Sequence, residues 1–314
     1  MKKTVLCILL FVVFVSLVIV SVILANSNEK TLIITTIPKS YCYVNGYSEK
    51  LEFPVTLYLN RTDTSLIDIN SIDSTYLTNE EQMIKVNCIN IQEQTKKVYI
   101  KNKEYHTYTY YFEMPITVGD KYQLLIPKAS LNINTSSLEV NVQIGSFTYS
   151  KVPYFGDSNG HLSIMNLKPV VNEVWNNKTL VAVVLGLRNN SDYAIEINNL
   201  DFLNQSISPA YNDIRYINKE VYPSDDLSTL LGYPYTVVED ETTTSFSYTI
   251  APFSTLQLLI PLKYHEEIIV DRLGLQFEYN YQNTSTSFYY DDFIYFQALP
   301  LTLENLQLYT YENY

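Results

Sequence analysis

The chain has 314 residues, 33 of them acidic and 21 basic, with a formal net charge of −12. At 46% hydrophobic and 17% charged it has the composition of a globular chain, not a disordered one. Beyond Lys2 and Lys3 the basic residues number 19 against 33 acidic, a net of about −14. That argues against nucleic acid as a partner and against a basic surface for anionic lipid or wall polymer.

Met1-Lys2-Lys3 precede an uncharged, apolar run from Thr4 to Leu24. As a helix these residues span roughly 30 Å, the hydrocarbon thickness of a bilayer. Signal-peptide apolar regions are shorter, about 7–15 residues. The one candidate cleavage site, Ile23-Leu24-Ala25, has a bulky residue where a small one is wanted. The expectation is an uncleaved anchor through Thr4–Leu24, with a cleaved signal peptide as the alternative. Lys2 and Lys3 keep the N-terminus cytoplasmic and send the chain from Asn26 onward outside. The protein is then a single-pass cell-membrane protein with extracellular C-terminal domains, or a secreted one if the segment is cleaved.

Beyond the anchor the apolar period is two. Leu138, Val140, Val142 and Ile144 alternate with Glu139, Asn141 and Gln143, and Leu275, Phe277, Tyr279 and Tyr281 alternate with Gln276, Glu278 and Asn280. Such alternation marks antiparallel strands with one buried and one wet face. Turn-rich groups separate the strands: Asn60-Arg-Thr-Asp63, Val118-Gly-Asp120, Asn189-Asn-Ser-Asp192 and Asn283-Thr-Ser285. Asp225–Leu231, with Ser224 as cap, reads as one helical turn or a short helix.

Residues 51–73 and 179–201 match at a constant offset. Leu57, Leu59, Ile67, Ile69, Asn70, Ile72 and Asp73 answer to Leu185, Leu187, Ile195, Ile197, Asn198, Leu200 and Asp201. Gln123-Leu-Leu-Ile-Pro127 repeats as Gln257-Leu-Leu-Ile-Pro261, and Leu32, Ile34 and Ile37 answer to Leu162, Ile164 and Leu167. Three matches in one order predict a duplicated unit. The stretch from Leu57 to Ile69, and its partner, resembles the strand–turn–strand of bacterial extracytoplasmic immunoglobulin-like domains. The resemblance implies an architecture and brings no functional residues. The expected fold is all-β: one N-terminal transmembrane helix, then two tandem immunoglobulin-like antiparallel β-sandwich domains. The expected boundaries are a stub and anchor at 1–28, a first domain at 29–152, a linker at 153–160, a second domain at 161–300 and a final strand or tail at 301–314.

Cys42 and Cys88 are the two cysteines outside the anchor, and both lie in strand-like segments. In an exported chain they are a candidate disulfide; two separate buried thiols are the alternative. Asp157-Ser-Asn159-Gly160 resembles the start of a calcium loop without its closing Glu, and reads as an interdomain turn. The acidic groups Asp225-Asp226, Glu239-Asp240-Glu241 and Asp291-Asp292 read as solvated turns. The histidines, His106, His161 and His265, have no metal-ligand spacing. No cofactor, metal or catalytic residue is expected.

The 29 tyrosines supply the binding candidates: Tyr105, Tyr108, Tyr110 and Tyr111 in one run, Tyr289, Tyr290 and Tyr295 in another, Tyr233 and Tyr235 in a third. Exposed tyrosines make rigid, amphipathic contacts. The leading functional expectation is a non-catalytic, membrane-anchored scaffold or protein-interaction module with an unidentified protein partner, such as an accessory subunit of a membrane complex. The alternatives are a carbohydrate- or small-ligand-binding module that uses exposed tyrosines, and a secreted hydrolase. A sugar site needs two or three exposed aromatics converging on one face, whereas a protein interface needs a broader apolar patch.

Overall fold

The computed structural model describes residues 32–45, 49–100, 103–116, 122–156, 159–174, 177–216, 247–266, 268–270, 272–294 and 307–311. Thr4–Leu24, Asp225–Leu231, the Glu239–Glu241 group and Tyr233, Tyr235 and Tyr295 lie outside these residues. Among the described residues no helix is long and apolar enough to cross a membrane.

The N-terminal half contains β1 (Leu32–Thr36), β2 (Lys39–Asn45), β3 (Lys50–Leu59), the short helix α1 (Thr64–Ile67), β4 (Ile72–Thr78), β5 (Met83–Ile100), β6 (Lys103–Pro115), β7 (Tyr122–Thr135) and β8 (Glu139–Lys151). One sheet runs β1-β3-β6-β5 and the other β2-β8-β7-β4-β5. The long β5 serves both: Met83–Val86 pair with β4, and from Asn87 onward it pairs with β6. A register shift between Cys88 and Asn90 follows the changeover, as expected where a strand must bend. Lettered A, A′, B, C, C′/D, E, F and G, these strands form the A-B-E-D and G-F-C sheets of an immunoglobulin-like sandwich. β2 pairs with β8 in parallel.

Binary alternation builds the core. Leu51, Phe53, Val55, Leu57 and Leu59 of β3 face inward, as do Val140, Val142 and Ile144 of β8. Phe53 and Phe147 meet edge-on across the two sheets at 5.0 Å. Truncating either ring to Ala would cost about 3–5 kcal/mol.

The C-terminal half contains β9 (Leu162–Val174), β10 (Asn177–Asn189), β11 (Ile195–Phe202), β12 (Ile207–Pro209), β13 (Arg215–Tyr216), β14 (Ser247–Ile250), β15 (Thr255–Tyr264), β16 (Ile269–Val270), β17 (Arg272–Tyr281) and β18 (Thr284–Ile294). β9-β10-β15, with β12 and β13 beside β15, form one sheet, and β14-β11-β17-β18 the other. This is again an A-B-E-D sheet against a C-F-G sheet, around a core of its own built on Val183, Leu185, Ile195, Ile197, Phe277 and Tyr279. β19 (Gln307–Tyr311) does not extend this half. It pairs antiparallel with β1, so the expected final strand joins the N-terminal sheet.

The internal matches fare unequally. Leu32–Ile37 and Leu162–Leu167 fall on or just after the two A strands, and Leu57 and Leu185 lie on the two B strands. Gln123–Pro127, however, lies on β7, an F strand, and Gln257–Pro261 on β15, an E strand. That pentapeptide match is not a topological equivalence; the same short apolar run suits two different strands. Ile67 and Ile69, expected on the second strand, sit on helical turns instead. Asp63 accepts from Ser65 N and Asp68 from Asn70 N, both at 3.0 Å, and these side chains compete locally with the ladder.

The two halves meet along β2. Ser40 Oγ donates to Asn204 Oδ1 at 3.0 Å, and the Ser146 hydroxyl lies 3.0 Å from that of Ser40 and 2.7 Å from that of Ser206. Ser206 Oγ donates to Glu266 at 2.8 Å, Cys42 Sγ to the Leu203 carbonyl at 2.9 Å, and Gln205 Nε2 to the Phe147 carbonyl at 3.2 Å. Val44, Val152, Leu203 and Tyr289 form a small apolar cluster beside this network. β16 extends the sheet by pairing in parallel with Lys39-Ser40. The 153–160 linker is strapped down: Tyr154 donates to the Ser287 carbonyl at 2.7 Å, and Gly156 N to the Tyr289 carbonyl at 2.7 Å.

Gly274 lets this contact close, because a Cβ there would overlap Val44 and press on Leu203. Gly274→Val is expected to cost about 1–3 kcal/mol through overpacking and to loosen the halves specifically. Limited proteolysis should then cut within Pro153–Gly160 faster than in the parent chain. Unchanged cleavage would mean that the contact is not what holds the linker.

Candidate functional site

Among the described residues, most of the tyrosines singled out from the sequence are buried. Tyr105, Tyr108, Tyr110 and Tyr289 are all buried. On β6, Tyr108, Tyr110 and Phe112 share the inward phase of the alternation, and Tyr111 is half-buried on the other face. Tyr110 donates to the Leu66 carbonyl at 3.0 Å, and burial holds its hydroxyl well above the usual range. Tyr105 covers a small cluster with Ile33, Ile37, Tyr58 and Val98. Tyr289 packs between the halves, and the half-buried Tyr290 packs on the C-terminal core. They present no common surface.

Cys42 and Cys88 are free thiols. Cys42 is on β2, and Cys88 is on β5 past its changeover, opposite Phe112 of β6; the two are not bonded. Burial pushes the Cys88 thiol up to about 11. Its thiolate fraction at pH 8 is then roughly a thousandth, and it rises about tenfold per pH unit until the pH nears that value. Two outcomes are expected. The unfolded, unreduced chain should alkylate at Cys42 and Cys88. In the native chain Cys88 should alkylate on the order of a hundredfold more slowly than an exposed cysteine at pH 8, accelerating with pH. Protection of both cysteines in the unfolded chain would instead show a bond between them.

A different set of aromatics converges at one end of the C-terminal half, on the β10–β11 loop, the β17–β18 turn, the β14–β15 loop and the start of β9. His161 stacks on Tyr281 with ring centroids 3.8 Å apart, and Tyr193 stands perpendicular to Tyr281 at 5.8 Å. Tyr193 is 49% exposed, and Phe253 on the adjoining loop is 64% exposed. The exposed Asp192 carboxylate lies beside the Tyr281 hydroxyl. Partial desolvation, then the charge of Asp192 and the neighbouring Tyr193, raise the Tyr281 pKa. His161 Nδ1 is buried without a hydrogen-bond partner.

The loops under these rings are fixed. Asn189 is fully buried, and its Nδ2 lies within 3.1 Å of the Tyr193, Ile250 and Ala251 carbonyls. Its Oδ1 accepts from Ser191 N and Oγ at 2.9 and 2.7 Å. One amide thus ties the β10–β11 loop to the β14–β15 loop, and Phe253 N reinforces the tie by donating to the Ser191 carbonyl at 3.1 Å. Asn190 N donates to the His161 carbonyl at 2.7 Å, pinning the start of β9. Gln282 and Asn283, at φ 47° and 65°, form the two-residue turn between β17 and β18. The amide of Asn189 is fully engaged, so its Asn-x-Ser sequon is a structural tie. Asn189→Ala is expected to cost about 1–3 kcal/mol, since it strands several buried partners. Denaturant unfolding should show a clearly larger loss than for Asn190→Ala.

Sequence reasoning missed this cluster. Asn189–Asp192 was legible as a turn, and Tyr281 closes an alternating run just before another turn. Tyrosines that flank turns, and not tyrosines in runs, were the available signal. Of the calcium-like loop, Asp157 lies outside the described residues, Asn159 is exposed and Gly160 has φ 71°. Among the described residues no group of His, Cys, Asp and Glu could hold a metal.

No family model matches the chain, and no curated protein matches it. Solved structures that align with it include the C-terminal domain of the Streptococcus agalactiae AgI/II polypeptide BspA (8% identity, 82% of this chain and 98% of that one, TM-score 0.20). Another is a protein of unknown function from Porphyromonas gingivalis W83 (8% identity, 83% and 98%, TM-score 0.20). A third is the titin immunoglobulin tandem A164-A165 (8% identity, 83% and 96%, TM-score 0.18). The architecture is immunoglobulin-like. The strand order alone carries that statement.

Proposed function

We propose that the chain is a non-catalytic, membrane-anchored extracellular binding module. Thr4–Leu24 is its transmembrane anchor, and two tandem immunoglobulin-like domains follow as one stiff unit. The aromatic tip of the second domain is the contact surface. The observation that carries this reading is the tip itself: exposed Tyr193 and Phe253, beside Tyr281 and Asp192, on loops held by Asn189. The composition, Tyr with Asn, Ser and Gln, is that of loops that recognise partners through rigid rings and adaptable polar groups. In immunoglobulin-like folds the B–C and F–G loops share one end of the sandwich and serve this purpose in variable domains.

The contacts around β2 support the stiff unit. β11 leads from the tip at Ile195 to Phe202, next to the interdomain residue Leu203, a span of about 26 Å at 3.3 Å per residue. The first domain follows the proposed anchor, so on this reading the tip lies on the side away from the bilayer, as suits an anchored scaffold or an accessory subunit of a membrane complex. Two measurements test the reading. Membrane fractionation should recover the chain with membranes, and protease added to intact cells should remove residues beyond Asn26. A chain that stays fully protected, or that is recovered only in the soluble cytoplasmic fraction, would overturn it.

A further inference from the structure

We infer that the tip binds a neutral saccharide, stacked on the Tyr193 ring and hydrogen-bonded by Asp192 and its neighbours. The inference rests on the binding-module reading and names the ligand class. A pyranose offers a face of C–H bonds and a rim of hydroxyls. Recognition therefore calls for an open aromatic face and, within reach of its edge, fixed acceptors and donors. The tip supplies both. Tyr193 is half-exposed and held perpendicular to Tyr281. Asp192 is an exposed acceptor, the Tyr281 hydroxyl lies beside it, and Gln282 and Asn283 present exposed amides from the adjoining turn. His161 Nδ1, buried against Tyr281, is a polar atom still without a partner.

Charge narrows the class. Asp192 brings a carboxylate to these contacts, on a chain of net charge −12. A phosphorylated or acidic sugar would be repelled, while neutral hydroxyls are accepted. Size separates a sugar from a protein. A stable protein interface buries on the order of 1,000 Å² or more around a broad apolar centre. Here the exposed rings of the tip are two, Tyr193 and Phe253; of the other large exposed side chains, Met165 on β9 and Tyr216 on β13 belong to this half, and Met83, Tyr99 and Leu125 on β5 and β7 to the other. Preorganisation favours a ligand with little apolar area to offer, because loops already fixed by Asn189 lose little freedom on binding.

The test is saturation-transfer NMR on the full-length chain in phospholipid nanodiscs, which avoid glycoside detergents. The probes are glucose, galactose, mannose, N-acetylglucosamine, their β1,4-linked disaccharides, and sialyllactose as the anionic member. At least one neutral probe should bind and sialyllactose should not. Tyr193→Ala should weaken that binding about tenfold, equivalent to about 1.4 kcal/mol. Asp192→Ala should weaken it by a similar factor, and Tyr193→Phe should retain it. Tyr193 is exposed, so an unchanged unfolding midpoint in the variants confirms that the fold is intact. Failure of every neutral probe, or binding indifferent to Tyr193→Ala, would overturn the saccharide inference. In either case, co-purification from native membranes of a stoichiometric protein that is lost in Tyr193→Ala would leave the binding module standing with a protein ligand. Indifference of both readouts to Tyr193→Ala would remove the module reading as well.

Discussion

Everything beyond the first core depends on how β2 is used twice. One edge of this strand pairs in parallel with β8, and the other receives β16 from the C-terminal half. Its side chains alternate between the two jobs. Tyr41 and Tyr43 join the N-terminal core, while Ser40, Cys42 and Val44 face the C-terminal half. A serine or thiol buried between two sandwiches is costly unless it finds partners. Ser40, Ser146, Ser206 and Asn204 satisfy one another, with Glu266 at the end of the chain of contacts. Such a network permits one relative placement of the halves, since sliding by a residue would strand every hydroxyl. Gly145 belongs to the same constraint: at φ 115°, with the Lys39 backbone where a Cβ would be, it lets β2 lie directly on β8.

That placement decides which end of the C-terminal half is free. Leu203 and Arg272 lie at the ends of β11 and β17 that face the N-terminal half, Tyr289 lies midway along β18, and the Arg272 guanidinium sits 5.0 Å over the Tyr43 ring. The opposite ends of the same strands carry Ile195, Tyr281 and Thr284. The loops there are exposed because the sheets end, and rigid because Asn189, Asn190 and Phe253 tie three segments together. A position fixed through the scaffold and a surface free of it are the two properties a recognition site needs.

Strand existence and inward phase were legible in sequence at Leu138–Ile144 and Leu275–Tyr281, where alternation is strict and one face must be buried. The tyrosine runs misled for the same physical reason. In an extended strand every second residue is inside, so Tyr108 and Tyr110 had to be core once Phe112 was. Tyr density measures strand propensity here, not exposure. Asp63 and Asp68 were legible as turn residues, but their capping of helical turns overrode the apolar pattern of Ile67 and Ile69. The partners of Cys42 depend on contacts between halves, which local pattern does not encode.

The loop between the B and C strands shows how two halves of one strand order diverge in use. In the N-terminal half, residues 60–71 fold into capped turns that drop Leu66 into the core and offer its carbonyl to Tyr110, closing that end of the sandwich. In the C-terminal half the same interval is a short turn from Asn190 to Ala194. Position 61 of the N-terminal half is Arg, and its counterpart at the repeat offset is Asn189. An arginine there has no amide with which to gather three carbonyls and two donors; the first loop closes instead on its Asp63 and Asp68 caps and on Leu66, whose side chain is buried and whose carbonyl accepts from Tyr110. With Asn189 the second loop is fixed by polar contacts alone, and its aromatic residue is left outward. One residue type at the end of the B strand thus accompanies the difference between a B–C loop folded onto its core and one that leaves an aromatic ring outward.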